Sequence, residues 1–304
     1  MRFVIVVAVV AACGDKKQEP PPAQASGSAP TRDGGVPDGK LSPEAAAAQY
    51  DSACVAGDAE ACRNLGVLYS EGIGVKADAK RATALFAQAC NGGNLAACNH
   101  AALALSEGLG VEKDRVQSLE LYAKACDGGY PLACRNLGLV LRDGRGVGKD
   151  LDKAEALLGK ACDGGAPFAC TNAGDLHKAR ALAAPKEDRA AHFKQMIALY
   201  TRGCNEGDPT ACRAIGVAYL EGTGLPKTTN AAAVWLARAC DKDEPIACRV
   251  LGAMTFDGIG VKKDETKARA MLKRACDRKD TEACEMFAKV SGGSGSAGSG
   301  SNAP

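Results

Sequence analysis

Cysteine is the residue whose type and spacing offer the most chemistry in this chain. It occurs at 15 positions, of which 14 form pairs with the spacing C-x7-C: Cys54 and Cys62, Cys90 and Cys98, Cys126 and Cys134, Cys162 and Cys170, Cys204 and Cys212, Cys240 and Cys248, Cys276 and Cys284. Successive pairs begin 36 residues apart, except for one step of 42. Zinc sites bring their ligands as C-x2-C or with histidines at similar spacing, and this chain has no such pair and only three histidines. Disulfides are the remaining chemistry, which requires an oxidising compartment.

Other reactive arrangements are missing from the sequence. His177 and His192 fall in the one irregular repeat, with neither an H-E-x-x-H motif nor a third histidine beside them, so they read as surface or packing residues. No serine has a lysine three residues on, as an S-x-x-K nucleophile would need. Five G-x-G pairs lack both a preceding strand and a phosphate-loop continuation, and recur where a helix should end, so they read as left-handed caps. No catalytic residue, metal or cofactor is expected. With 38 basic against 36 acidic side chains there is also no electrostatic footprint for nucleic acid.

The elements that must carry the cysteines follow from the period. A repeat of 20 to 50 residues means a stacked array, which needs no single central core. Ser42-Pro43-Glu44 reads as N-cap, first-turn proline and favourable acid, opening a helix to about Cys54. Six full repeats then start at 58, 94, 130, 166, 208 and 244, each a helix A, a glycine-bearing loop and a helix B, with a single helix from Asp280. Fourteen helices are expected across 44–290.

Cys62, Leu65, Gly66 and Tyr69 sit at i, i+3, i+4 and i+7, one stripe facing the core. The glycine of that stripe recurs as Gly138, Gly174, Gly216 and Gly252, with Ala102 in the second repeat. Such a glycine costs helix propensity, so close approach of the partner helix explains its recurrence. Each helix B ends at a cysteine, and the next helix A has one in its first turn. Local pairing, Cys126 with Cys134 and likewise along the array, is the most economical connectivity, although spacing does not exclude others.

The motif A-x2-C-x2-L-G-x2-Y-x2-G-x-G-V, followed by a helix ending in A-C-x-G-G, resembles the Sel-1-like repeat family over about residues 44–290. It is similar in particular to the cysteine-rich secreted members of Helicobacter. The resemblance implies an all-α, right-handed superhelical solenoid of 36-residue helix-turn-helix repeats, related to tetratricopeptide repeats and here disulfide-stapled. It also implies a scaffold that binds a protein or peptide. Some cysteine-rich members have been described as penicillin-binding proteins or weak β-lactamases, and a purely structural envelope spacer is a third reading.

If helix A lines the inner face, as the resemblance implies, one register looks into the groove. It comprises Arg63, Asn99, Arg135, Thr171, Arg213, Arg249 and Glu285, with Leu132, Leu139, Phe168, Val217, Ile246 and Phe256 supplying apolar contacts nearby. Forked guanidinium donors interleaved with apolar side chains suit an extended acidic peptide. The opposing possibility is that Glu71, Glu107, Asp143, Glu221 and Asp257, eight residues further on, neutralise the row internally. The fourth repeat, six residues longer and without the Y-x-E-G-x-G-V segment, is expected to have a longer helix A and a projecting loop.

At the N-terminus, Arg2 precedes an apolar run from Phe3 to Ala12, too short to span a bilayer and suited to a signal peptide over 1–12. Val10-Ala11-Ala12-Cys13 resembles the lipobox of bacterial lipoproteins, which makes Cys13 the lipid attachment site. Residues 13–43 read as a lipidated, Pro/Gly/Ser-rich tether with a reach of ~30 Å, and 291–304 as a flexible tail. The expected place is the cell envelope, anchored in the periplasm or at the outer membrane, or else secretion. Membrane contact would be through the lipid alone, and the protein is expected to be a monomer.

Overall fold

A computed structural model describes residues 41–292. The expected signal peptide, Cys13 and nearly all of the tether and tail lie outside the described residues. Compact packing divides the chain at residues 169 and 170, and each unit is a run of antiparallel helices.

The first unit holds α1 (Pro43–Val55), α2 (Ala59–Glu71), α3 (Ala79–Asn91), α4 (Leu95–Glu107), α5 (Arg115–Asp127), α6 (Pro131–Asp143) and α7 (Leu151–Asp163). The second holds nearly all of α8 (Ala169–Ala183), then α9 (Arg189–Asn205), α10 (Pro209–Glu221), α11 (Thr229–Asp241), α12 (Pro245–Asp257), α13 (Glu265–Asp277) and α14 (Thr281–Gly292). Among the described residues these are fourteen helices and no strand. The last helix runs through Ser291 and Gly292, two residues given to the tail on sequence.

Local chemistry sets the boundaries. Ser42 caps α1 through its hydroxyl, and Asp58, Asn94, Asp208 and Glu244 cap α2, α4, α10 and α12 through their side chains. The first glycine of each G-x-G pair takes the left-handed conformation that ends helix A, as at Gly72 (φ 71°) and Gly258 (φ 73°).

The helix-A stripe meets helix B of the same repeat. A Cβ built on Gly138 would lie 2.9 Å from Leu158, and one on Gly216 2.8 Å from Leu236, both leucines being fully buried. Where Ala102 replaces this glycine, Ser118 of the facing helix donates a hydrogen bond to its carbonyl at 2.7 Å. The cores are otherwise built from alanine, leucine and cystine, small enough for helices to approach closely.

Six local disulfides are formed, Cys54–Cys62, Cys90–Cys98, Cys126–Cys134, Cys204–Cys212, Cys240–Cys248 and Cys276–Cys284, each eight residues apart in sequence. Cys162 and Cys170 are also disulfide-bonded. Each of the six ties the end of one helix B to the first turn of the next helix A, and so staples repeat to repeat.

The fourth repeat corrects one expectation. Its extra residues lengthen helices, with α8 at 15 and α9 at 17 residues against 13 in the helices of the other full repeats. The connection between them spans only 184–188 and forms no projecting loop. The sequence Ala179–Ala184 has no glycine to stop helix A, so the helix continues until Pro185.

Candidate functional site

Helix A carries the register expected to line a groove, and its members divide into two groups. Arg213 Nε donates to Glu244 Oε1 at 2.9 Å, and Arg249 Nε to Asp280 Oδ2 at 3.0 Å. Thr171 donates from its hydroxyl to Asp208. Each acceptor is the residue at which the next repeat's helix A begins, so these side chains clasp neighbouring repeats together. Arg249 is 8% exposed and also meets Glu282 at 2.5 Å. In the first repeat the link is indirect: Arg63 Nη1 bonds Glu60 Oε1 at 2.9 Å, and Glu60 Oε2 accepts from Asn94, the next N-cap, at 2.5 Å.

Of the other members, Glu285 lies on the terminal helix with no repeat after it, and Asn99 and Arg135 differ because their next repeats begin with Tyr130 and Ala166, which offer no carboxylate. Asn99, buried at 3% exposure, instead accepts from Asn136 Nδ2 at 2.8 Å. The Arg135 guanidinium lies over the Phe168 ring at 5.9 Å. Sequence reasoning missed these clasps because it sought acids eight residues along, whereas the partners of Arg213 and Arg249 lie 31 residues on. The N-cap column could have revealed them, since acids stand at 208, 244 and 280 but not at 130 and 166. Two of the carboxylates suspected earlier have other partners: Asp143 binds Arg142 and Arg145, and Glu221 lies 3.7 Å from Lys178.

Asn99 and Arg135 border the same cleft, an open cavity of about 620 Å³ between α4, α5 and α6 that Phe168 also lines. Leu103, Leu132, Leu139 and Phe168 give it apolar walls; Lys113, Arg115, Arg135 and Arg145 line it together with Glu107, and Arg145 is paired with Asp143. His100 also borders it, stacked on Phe86 at 4.7 Å between centroids. Burial, and secondarily the Arg63 charge, push its pKa down to about 4, which leaves it neutral near pH 7. Burial would raise Asp143, but hydrogen bonds and charge from Arg142 and Arg145 hold it below the usual carboxylate range.

His177 and His192 do come together, with Nδ1 atoms 3.4 Å apart on α8 and α9. Among the described residues, however, no group of three or more His, Cys, Asp or Glu could hold a metal ion. Nor is any helix of those residues long and apolar enough to cross a membrane.

The family model for the Sel1 repeat matches residues 59–94, 95–130, 131–165, 209–244 and 245–280, passing over only the long fourth repeat and the terminal helices. No protein with curated function matches the sequence. Among solved structures, a Sel1 repeat protein from Oxalobacter formigenes is similar at 26% identity with a TM-score of 0.65, over 76% of this chain and 96% of that one. A protective antigen of uropathogenic Escherichia coli displaying an SLR fold is 20% identical, with a TM-score of 0.46 over 84% and 61%. Helicobacter pylori cysteine rich protein B is 25% identical, with a TM-score of 0.35 over 45% and 95%.

Proposed function

Since the chain belongs to the Sel1 repeat family, whose members are generally protein-interaction scaffolds, we propose that it binds a protein or peptide in the bacterial cell envelope. The observation that carries the binding reading is the cleft on the helix-A face of the first unit, which combines apolar walls with convergent charged and amide groups. The disulfides support export, because the cytosol would keep such thiols reduced. The lipobox-like Val10–Cys13 run supports anchoring of the exported protein by a lipid.

The test uses the full chain produced in an oxidising compartment. Proteins captured from envelope and cytosolic extracts are purified, and each is titrated against the chain by calorimetry. Saturable binding by an envelope protein is expected. If no captured protein binds in purified form, or if only cytosolic ones do, this reading is wrong.

A further inference from the structure

Where helix A of one repeat meets the start of the next, the second unit fills its donor register with acidic side chains. Asp208, Glu244 and Asp280 each receive a hydrogen bond from the preceding repeat at Thr171, Arg213 and Arg249. In the first unit the equivalent places are Asn94, Tyr130 and Ala166, and the cleft is lined by the register positions that precede the last two, Asn99 and Arg135. Arg135 reaches this cleft and keeps contacts within the protein, Phe168 among them.

We infer that the cleft between the second and third repeats receives an aspartate or glutamate side chain of an extended partner segment, with Arg135 as its cationic anchor. This deepens the protein-binding reading and rests on it. Four features point to that ligand. The cleft lining carries four basic side chains to one acid, and one of the four, Arg145, is paired with Asp143. The same register binds Asp and Glu side chains wherever the chain itself supplies them. Leu132, Leu139 and Phe168 can cover the apolar neighbours of the acid, while the Asn99–Asn136 pair places amide groups near a peptide backbone. The Phe168 ring beneath the guanidinium also restricts its orientation.

Fluorescence anisotropy with labelled, amidated hexapeptide pools tests this on the full oxidised chain. One pool carries a fixed central glutamate among Leu, Val, Phe and Ala, a second has glutamine there, and a third is the glutamine pool with a free C-terminal carboxylate. The glutamate pool is expected to bind roughly tenfold more tightly than the glutamine pool, an advantage that shrinks with added salt. Arg135→Gln should erase the difference, Arg135→Lys should keep part of it, and Arg238→Gln, at an exposed position of α11, should leave it whole.

Equal binding of all pools, no binding of any, a preference that follows only the free chain end, or a glutamate preference that survives Arg135→Gln would each overturn the inference. None of these would touch the scaffold reading, which fails only if purified envelope partners do not bind.

Discussion

Arg249 and Asp280 are each 8% exposed, so their ion pair is largely withdrawn from water. Removing one partner of such a pair leaves the other buried without compensation, at a cost of about 3–5 kcal/mol. Arg249→Gln should therefore lower the denaturant midpoint strongly. Arg213→Gln, at a pair that is 25% and 7% exposed, should do so less. Arg63→Gln removes a contact to a Glu60 that is 54% exposed and should cost under about 1 kcal/mol. Equal effects in the three variants, measured by guanidinium unfolding under oxidising conditions, would contradict the assignment of Arg249 and Arg213 as clasps.

His100 makes stability depend on pH in a known direction. Its pKa falls from 6.5 to about 4 on folding, so the unfolded chain binds a proton that the folded state refuses. Stability is full above pH 6.5 and declines as pH falls towards 4, by at most on the order of 3 kcal/mol. His100→Gln should reduce the drop in melting temperature between pH 7 and pH 5; an unchanged drop would place the acid sensitivity elsewhere. At this scale the sequence was only partly legible. It identified the register of Arg213 and Arg249, yet their burial and their partners depend on how one repeat lies against the next.

The second glycine of each G-x-G pair has a different task from the first. Gly110 has φ 72°, and a Cβ there would stand 2.3 Å from the backbone of Ala79 at the start of α3 in the preceding repeat. Gly110→Ala would force repeats apart, a larger penalty than conformational strain alone. Gly159 of α7 is a helical glycine with nothing near its missing Cβ, so Gly159→Ala should stabilise by up to about 1 kcal/mol. Thermal unfolding of the two variants should shift in opposite directions; shifts of the same sign would refute the packing role.

The helix count, the caps and the within-repeat glycine contacts could all be read from a 36-residue period, because they depend on residues near in sequence. The fourth repeat could not be read so well. Six extra residues can extend a loop or two helices at the same length, and the choice falls to Pro185 and the absence of a stop glycine before it.

Over the whole molecule, stability comes from repetition of one small unit rather than from one large core. Each staple closes a nine-residue segment and contributes about 2.5 kcal/mol in the chain-entropy model. Oxidised protein should yield no alkylated cysteine among the fourteen at 54 through 284, and reduction should lower the unfolding midpoint substantially. Labelling of several of these thiols before reduction, read by peptide mass mapping, would remove both the staples and the argument for export.

The central claim is that this scaffold binds protein through the helix-A cleft of its first unit. Site-specific photo-crosslinking tests it most directly, with benzoylphenylalanine placed in turn at Leu139, which lines the cleft, and at Val234, which is 62% exposed on α11. With the purified envelope partner, the account predicts a crosslinked adduct from position 139 that Arg135→Gln weakens, and little or none from position 234. Adducts of equal yield from both positions, or from 234 alone, would contradict it.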